Sequence, residues 1–285
     1  MRRAGAVAAG LAAAAAVLTS CAHGSAAPSA AAPTSSAPTS AAPTSSGPTS
    51  SAPTTSAPTT SVAATDPRVV VGLGDSVTAG TACGCTDFVT QYAALLGARS
   101  GHAVRAVNLG VGGLTTSSLG AQLSTPAVAA SLSTADVVVV TIGANDLGPL
   151  VTRWQQGGCD TSCVDAASRA AGAGLSTVLG EVRRATPAHA RIQVTTYWNV
   201  FEDGDVADND FGPGFATWSD SVTRSANAAI RAAAEAAGDQ VVDLYQPFEG
   251  RGERNPTALL AADGDHPNAA GHRLIARTLL AATPG

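Results

Sequence analysis

The 285-residue chain contains no lysine, so each of its 16 basic side chains is an arginine. That absence excludes a lysine nucleophile or Schiff base, because there is no amine to activate. Aromatic residues are only 4% and charged residues 13% of the chain, and the net charge is −5. A mildly acidic protein without a basic run lacks the electrostatic footprint that nucleic acid requires, so no nucleic-acid partner is expected. Cysteine is scarce too, with five in all.

The composition divides the chain. Met1-Arg2-Arg3 and the alanine-rich stretch to Val17 have the charged start and short apolar region of a secretory signal over residues 1–20, too short to span a bilayer stably. Leu18-Thr19-Ser20-Cys21 resembles a bacterial lipobox, which makes Cys21 the expected lipidation site and 21–24 the anchored N-terminus. Residues 25–65 repeat alanine, proline, threonine and serine, bury nothing, and are expected to form a disordered linker reaching on the order of 100 Å. The expectation is an exported protein, lipid-anchored on the outer face of the cell membrane or else secreted. Cys83, Cys85, Cys159 and Cys163 remain, an even number that suggests two disulfides with three pairings open. Their spacing matches no familiar zinc site, and no metal is expected.

Residues 66–285 are enough for one domain with a full core. Apolar β-branched runs at 69–73, 104–109, 137–142, 192–197 and 241–244 read as strands. Helical stretches at about 88–98, 163–184, 218–237 and 269–280 alternate with them. The alternation predicts α/β architecture, a doubly wound parallel five-stranded sheet between helices. Sites in such sheets form beyond the carboxyl ends of the strands. Three glycine-containing turns fall there.

Gly74-Asp75-Ser76 follows the first strand, Asn108 to Thr115 with its Gly110-Val111-Gly112-Gly113 turn follows the second, and Gly143-Ala144-Asn145-Asp146 follows the third. Asp263-Gly264-Asp265-His266 precedes the last helix. A serine needs a base to take its proton and a carboxylate to orient that base, roles open to Ser76, His266 and Asp263. An oxyanion needs donors, which backbone N–H groups at glycine turns and the Asn145 amide can provide. No Gly-x-Ser-x-Gly elbow occurs, which argues against the α/β-hydrolase fold.

These four blocks resemble those of the SGNH hydrolases, also called GDSL esterases and lipases, over roughly residues 68–282. The resemblance implies an SGNH α/β/α sandwich and a catalytic triad of Ser76, Asp263 and His266. It also implies an oxyanion hole of Ser76, Gly113 and Asn145, with Gly110 in reserve for Gly113, and no cofactor. Val77 stands where the family's short name has leucine, an apolar exchange. With the lack of lysine, which reads as the codon bias of a GC-rich genome, the form expected is an exported, actinobacterial-looking lipoprotein.

Two rivals are visible within the last block: His272 as base and Asp265 as orienting acid. The acidic stretch Glu202, Asp203, Asp205, Asp208 and Asp210 suggests calcium less than a solvated loop. Tyr197, Trp198, Phe201, Phe211, Phe215 and Trp218 are expected in the core, those beside the fourth strand's end also walling a substrate pocket. The function expected is an exported monomeric serine esterase acting on a small-molecule, lipid or acetylated-glycan ester, with short-chain or O-acetyl esters favoured. The alternatives are an acyltransferase, a polysaccharide deacetylase of the cell envelope, and a non-catalytic surface binding protein.

Overall fold

The computed structural model describes residues 66–212 and 214–284; the expected signal, Cys21 and linker lie outside them. In chain order the elements are β1 (Val69–Gly74), α1 (Ser76–Ala79), α2 (Phe88–Ser100), β2 (Arg105–Asn108), α3 (Thr116–Leu123), α4 (Pro126–Leu132) and β3 (Val137–Thr141). There follow α5 (Ala144–Leu147), α6 (Pro149–Gln155), α7 (Thr161–Ala185), β4 (Arg191–Thr195), α8 (Gly204–Phe211), α9 (Phe215–Ala237), β5 (Gln240–Val242), α10 (Tyr245–Glu249) and α11 (Ala269–Ala282). A 3₁₀ turn spans Thr257–Leu259.

The five strands form one parallel sheet in the order β2-β1-β3-β4-β5. All five residues of β3 are buried, as a central strand covered on both faces requires. One helical layer is built on α7, which packs against α9 and α3; the other pairs α2 with α11. The long α7 buries Val164, Ser168, Ala171, Gly172, Leu175, Val178, Leu179 and Val182, a stripe at helical spacing that turns the alanine- and arginine-rich remainder outward. The described helices include none long and apolar enough to cross a membrane.

All five expected strands and four long helices are present, with ends displaced by a few residues. Helices α1, α3, α4, α5, α6, α8 and α10 occupy stretches with no expected helix, and α8 lies within what reads as a loop at 199–215. It starts where the Asp203 carboxylate caps the N–H of Gly204.

In this strand order the chain leaves β1 in opposite directions toward β2 and β3, so the crevice opens between the ends of β1 and β3. Those ends are level, Gly74 of β1 pairing with Thr141 of β3. The approach is so close that a side chain on Gly74 would overlap the Thr141 carbonyl, and its φ of 139° is one that L side chains rarely adopt.

Candidate active site

Ser76 is the first residue of α1, directly beyond β1. Asp75 caps that helix, its Oδ1 accepting the Val77 N–H at 3.0 Å, while Asp75 N–H donates to the Thr141 carbonyl at 3.1 Å. The turn is thereby tied to β3. The other Asp75 oxygen accepts from the Tyr197 hydroxyl. Tyr197 is itself fixed through its backbone by Asn227, whose side chain accepts from the N–H at 2.9 Å and donates to the carbonyl at 2.8 Å. Burial pushes the Asp75 carboxyl up to about 7, against the hydrogen bonds from Tyr197 and Val77. The sequence signalled Asp75 only as part of a turn, and its partnership with Tyr197 left no local trace because 122 positions separate them.

Asn145 lies on α5 beyond β3 and donates from Nδ2 to the Leu114 carbonyl at 2.9 Å. The adjacent Asp146 accepts from the Thr116 N–H at 2.9 Å and the Thr116 hydroxyl at 2.6 Å. This Asn-Asp pair therefore pins the far end of the turn that follows β2, where the chain enters α3. Within that turn Gly110 has a structural role: its N–H donates to Asn108 Oδ1 at 2.9 Å, and a side chain on it would run into the backbone of α1. The Asn108 amide completes the tie to α1 through the Thr78 carbonyl at 2.7 Å. Gly112 faces Ser76, a Cβ built on it standing 3.9 Å from that of Ser76. The N–H groups of Ser76 and Gly113 have no acceptor among the described residues.

Asp263 and His266 meet in a single turn. His266 Nδ1 lies 2.8 Å from Asp263 Oδ2, and Asp263 Oδ1 accepts the N–H groups of Asp265 and His266, both at 3.1 Å. Partial burial acts to raise the Asp263 carboxyl, but these hydrogen bonds outweigh it and hold it below its ordinary value. Asp265 approaches the other ring nitrogen, Nε2, at 3.8 Å. Among the described residues no hydrogen bond joins Nε2 to Ser76 Oγ. Such contacts in unliganded enzymes are often long and close only with substrate in place.

A hollow of about 40 Å³ gathers Ser76, Val77, Asn145, Tyr197, Trp198, Val200 and Asp265. Tyr197 and Trp198 thus wall it as well as belonging to the core. The remaining expected aromatics, Phe201, Phe211, Phe215 and Trp218, stack together with Trp154 instead.

His272 lies elsewhere. It is fully buried, its Nδ1 accepts the Phe88 N–H at 3.2 Å, and burial pushes it down to about 4. A base enclosed in this way has no reach to Ser76. The sulfurs pair Cys83 with Cys85, between α1 and α2, and Cys159 with Cys163, at the start of α7. Asp203, Asp205, Asp208, Asp210 and Glu202 bring no three ligand atoms together among the described residues, and Asp205 is engaged by the Asn255 amide at 2.7 Å.

A family model described as the GDSL-like Lipase/Acylhydrolase family matches residues 73–274. Among solved structures, a lipase from a goat rumen metagenome superposes with a TM-score of 0.64 at 23% identity, covering 76% of this chain and 98% of its own. An acetylxylan esterase from Geobacillus stearothermophilus superposes with a TM-score of 0.52 at 24% identity, covering 75% and 93%. At such identities the likeness concerns the fold. No curated protein matches the chain.

Proposed function

The chain belongs to the GDSL-like lipase/acylhydrolase family and is a carboxylic ester hydrolase, and we propose that it works through an acyl-enzyme on Ser76. Ser76 Oγ attacks the ester carbonyl while His266 Nε2 takes its proton, and Asp263 holds the Nδ1–H so that the ring keeps the orientation and tautomer needed. The oxyanion is met by the N–H groups of Ser76 and Gly113 and by the Asn145 amide. As the carbonyl re-forms, the alcohol leaves with the proton from His266. Water, deprotonated by the same ring, then releases the acid and regenerates Ser76.

One observation carries this reading. Ser76 and Asn145 share a hollow with Asp265, and Asp265 sits on the turn that joins the Asp263 carboxylate to the His266 ring. The hollow beside Ser76 is small, about 40 Å³, which supports a short acyl group such as acetyl. Short-chain esters and O-acetylated glycans are therefore the substrates proposed. Export, with anchoring through Cys21, rests on the N-terminal sequence.

The test is a chain-length series of p-nitrophenyl esters run on the protein and on Ser76→Ala. Acetate and butyrate should turn over well, longer chains poorly, and the variant not at all. Equal turnover by the variant would remove Ser76 from the mechanism, and a preference for long chains would overturn the short-acyl reading.

A further inference from the structure

The segment between α1 and α2 closes on itself through Cys83 and Cys85, two positions apart with Cα atoms 5.0 Å from each other. A ring that small leaves the backbone little choice. Ala82 and Gly84, on either side of Cys83, both adopt left-handed conformations, with φ of 57° and 56°. Ala82 is the one non-glycine residue with positive φ among the described residues. Ala82 stands just outside the ring, so that unfavourable conformation belongs to the turn that leads into Cys83, while Gly84 inside the ring adopts its own without cost. Both cysteines are half-buried and Gly84 between them is exposed, which leaves the sulfurs within reach of a thiol.

The side of this ring facing the core meets His272. A ring nitrogen of His272 and the two sulfurs all lie within 4.8 Å of one another. The imidazole is stacked on Phe88, with ring centroids 6.0 Å apart, and is fully enclosed. Its Nδ1 already accepts the Phe88 N–H, so in the neutral ring the proton sits on Nε2. Nε2 is buried with no partner. A buried donor lacking an acceptor is costly, and a thiolate formed at Cys83 or Cys85, on sulfurs beside the same imidazole ring, would give it one. The same proton position argues against a metal at these three residues, because one nitrogen's lone pair is engaged and the other nitrogen carries hydrogen.

We propose that Cys83 and Cys85, with the N–H of His272 beside them, form a thiol–disulfide exchange site that reacts with dithiols. A thiolate of the dithiol attacks one sulfur, the Cys83–Cys85 bond breaks, and the other sulfur leaves as a thiolate stabilised by His272. The second thiol of the reagent then attacks the mixed disulfide. The protein gains two electrons and two protons and ends with two thiols; the reagent ends as a disulfide. The site adjoins the nucleophile helix, since Thr81 N–H donates to the Ser76 carbonyl at 3.0 Å and Cys83 N–H to the Gly80 carbonyl at 3.4 Å.

The full chain, equilibrated in graded mixtures of reduced and oxidised dithiothreitol, trapped with iodoacetamide and read by peptide mass spectrometry, tests this. Cys83–Cys85 should open at a reduced-to-oxidised ratio at least about tenfold lower than Cys159–Cys163, and His272→Leu should move its midpoint about tenfold toward more reducing mixtures, the scale of a hydrogen bond to a charged group. The two pairs opening together, Cys159–Cys163 opening first, or an unmoved midpoint in His272→Leu would each overturn the proposal. Should that variant fail to fold, Cys83→Ser and Cys85→Ser serve instead: in at least one, iodoacetamide should alkylate the remaining thiol at pH 7 about tenfold faster than glutathione, as a stabilised thiolate predicts. No acceleration in either contradicts the account, and so does zinc binding by the reduced protein that requires Cys83, Cys85 and His272 together.

Discussion

Asn145 spends one of its two amide hydrogens on the Leu114 carbonyl, which leaves the other to be aimed by the first. Asn145→Ala should therefore lower kcat by roughly a hundredfold or more, as removal of an oxyanion donor does, with KM little changed and the fold kept at a stability cost of about 1 kcal/mol for the lost Leu114 bond. Steady-state kinetics on p-nitrophenyl acetate checks this; an unchanged kcat would take Asn145 out of the oxyanion hole. Asp75 makes a different kind of claim, about pH. Its carboxyl is raised from the ordinary 3.8 to about 7 by burial. A raised folded-state value means that this group's contribution is fully present below about 4 and is lost as pH rises through about 7. Asp75→Asn keeps a helix-capping oxygen and cannot ionise, so its melting temperature relative to the parent should rise between pH 4 and pH 8. Glu249, raised to about 8 mainly by burial and next by Asp203, should behave alike in Glu249→Gln, with the loss continuing to a higher pH. Melting curves across that range check both, and a difference from the parent that does not vary with pH would contradict the assignment.

At the scale of elements, the strands were legible because a sheet covered on both faces demands continuous apolar β-branched runs, and Val137 to Val140 supply one without interruption. Helix α7 was legible for the opposite reason, its stripe repeating at helical spacing over 25 residues. Short helices have no room for such a repeat. Helix α5 has four residues and α6 seven, too few to separate a helical face from a turn, and they are held by packing more than by propensity. Helix α8 hides among aspartates that read as a solvated loop, and its one local sign is the Asp203 cap. The turn after β1 belongs to this scale too. Gly74→Ala would set a methyl against the Thr141 carbonyl in a conformation that costs an L residue about 1–3 kcal/mol even where space is free. A loss of at least that size in the unfolding free energy from urea denaturation is expected, together with lost activity, since β1, β3 and the Ser76 turn shift as one. Stability equal to the parent would mean that the close approach does not hold in solution.

Over the whole molecule, the candidate site was legible in a way that its supports were not. Ser76, Asn145, Asp263 and His266 stand in short blocks at strand ends or before the last helix, and the strand order 2-1-3-4-5 gathers such ends at the β1/β3 crevice. The Tyr197–Asp75 and Thr116–Asp146 contacts, which brace those blocks, join distant parts of the chain between ordinary-looking residues and become visible only in three dimensions. The segment before residue 66 carries its own prediction: Cys21→Ala should move the expressed protein from the membrane fraction to the medium, and a variant that stays in the membrane fraction would refute the lipid anchor.

The central claim is that Ser76 is the nucleophile activated by His266. The most direct measurement is the site and rate of phosphonylation by a fluorophosphonate, followed by intact mass and peptide mapping. The account predicts one adduct, on Ser76, absent in Ser76→Ala and formed at least about a hundredfold more slowly in His266→Ala. An adduct on another residue, or one that forms on Ser76 at the parent rate without His266, would contradict it.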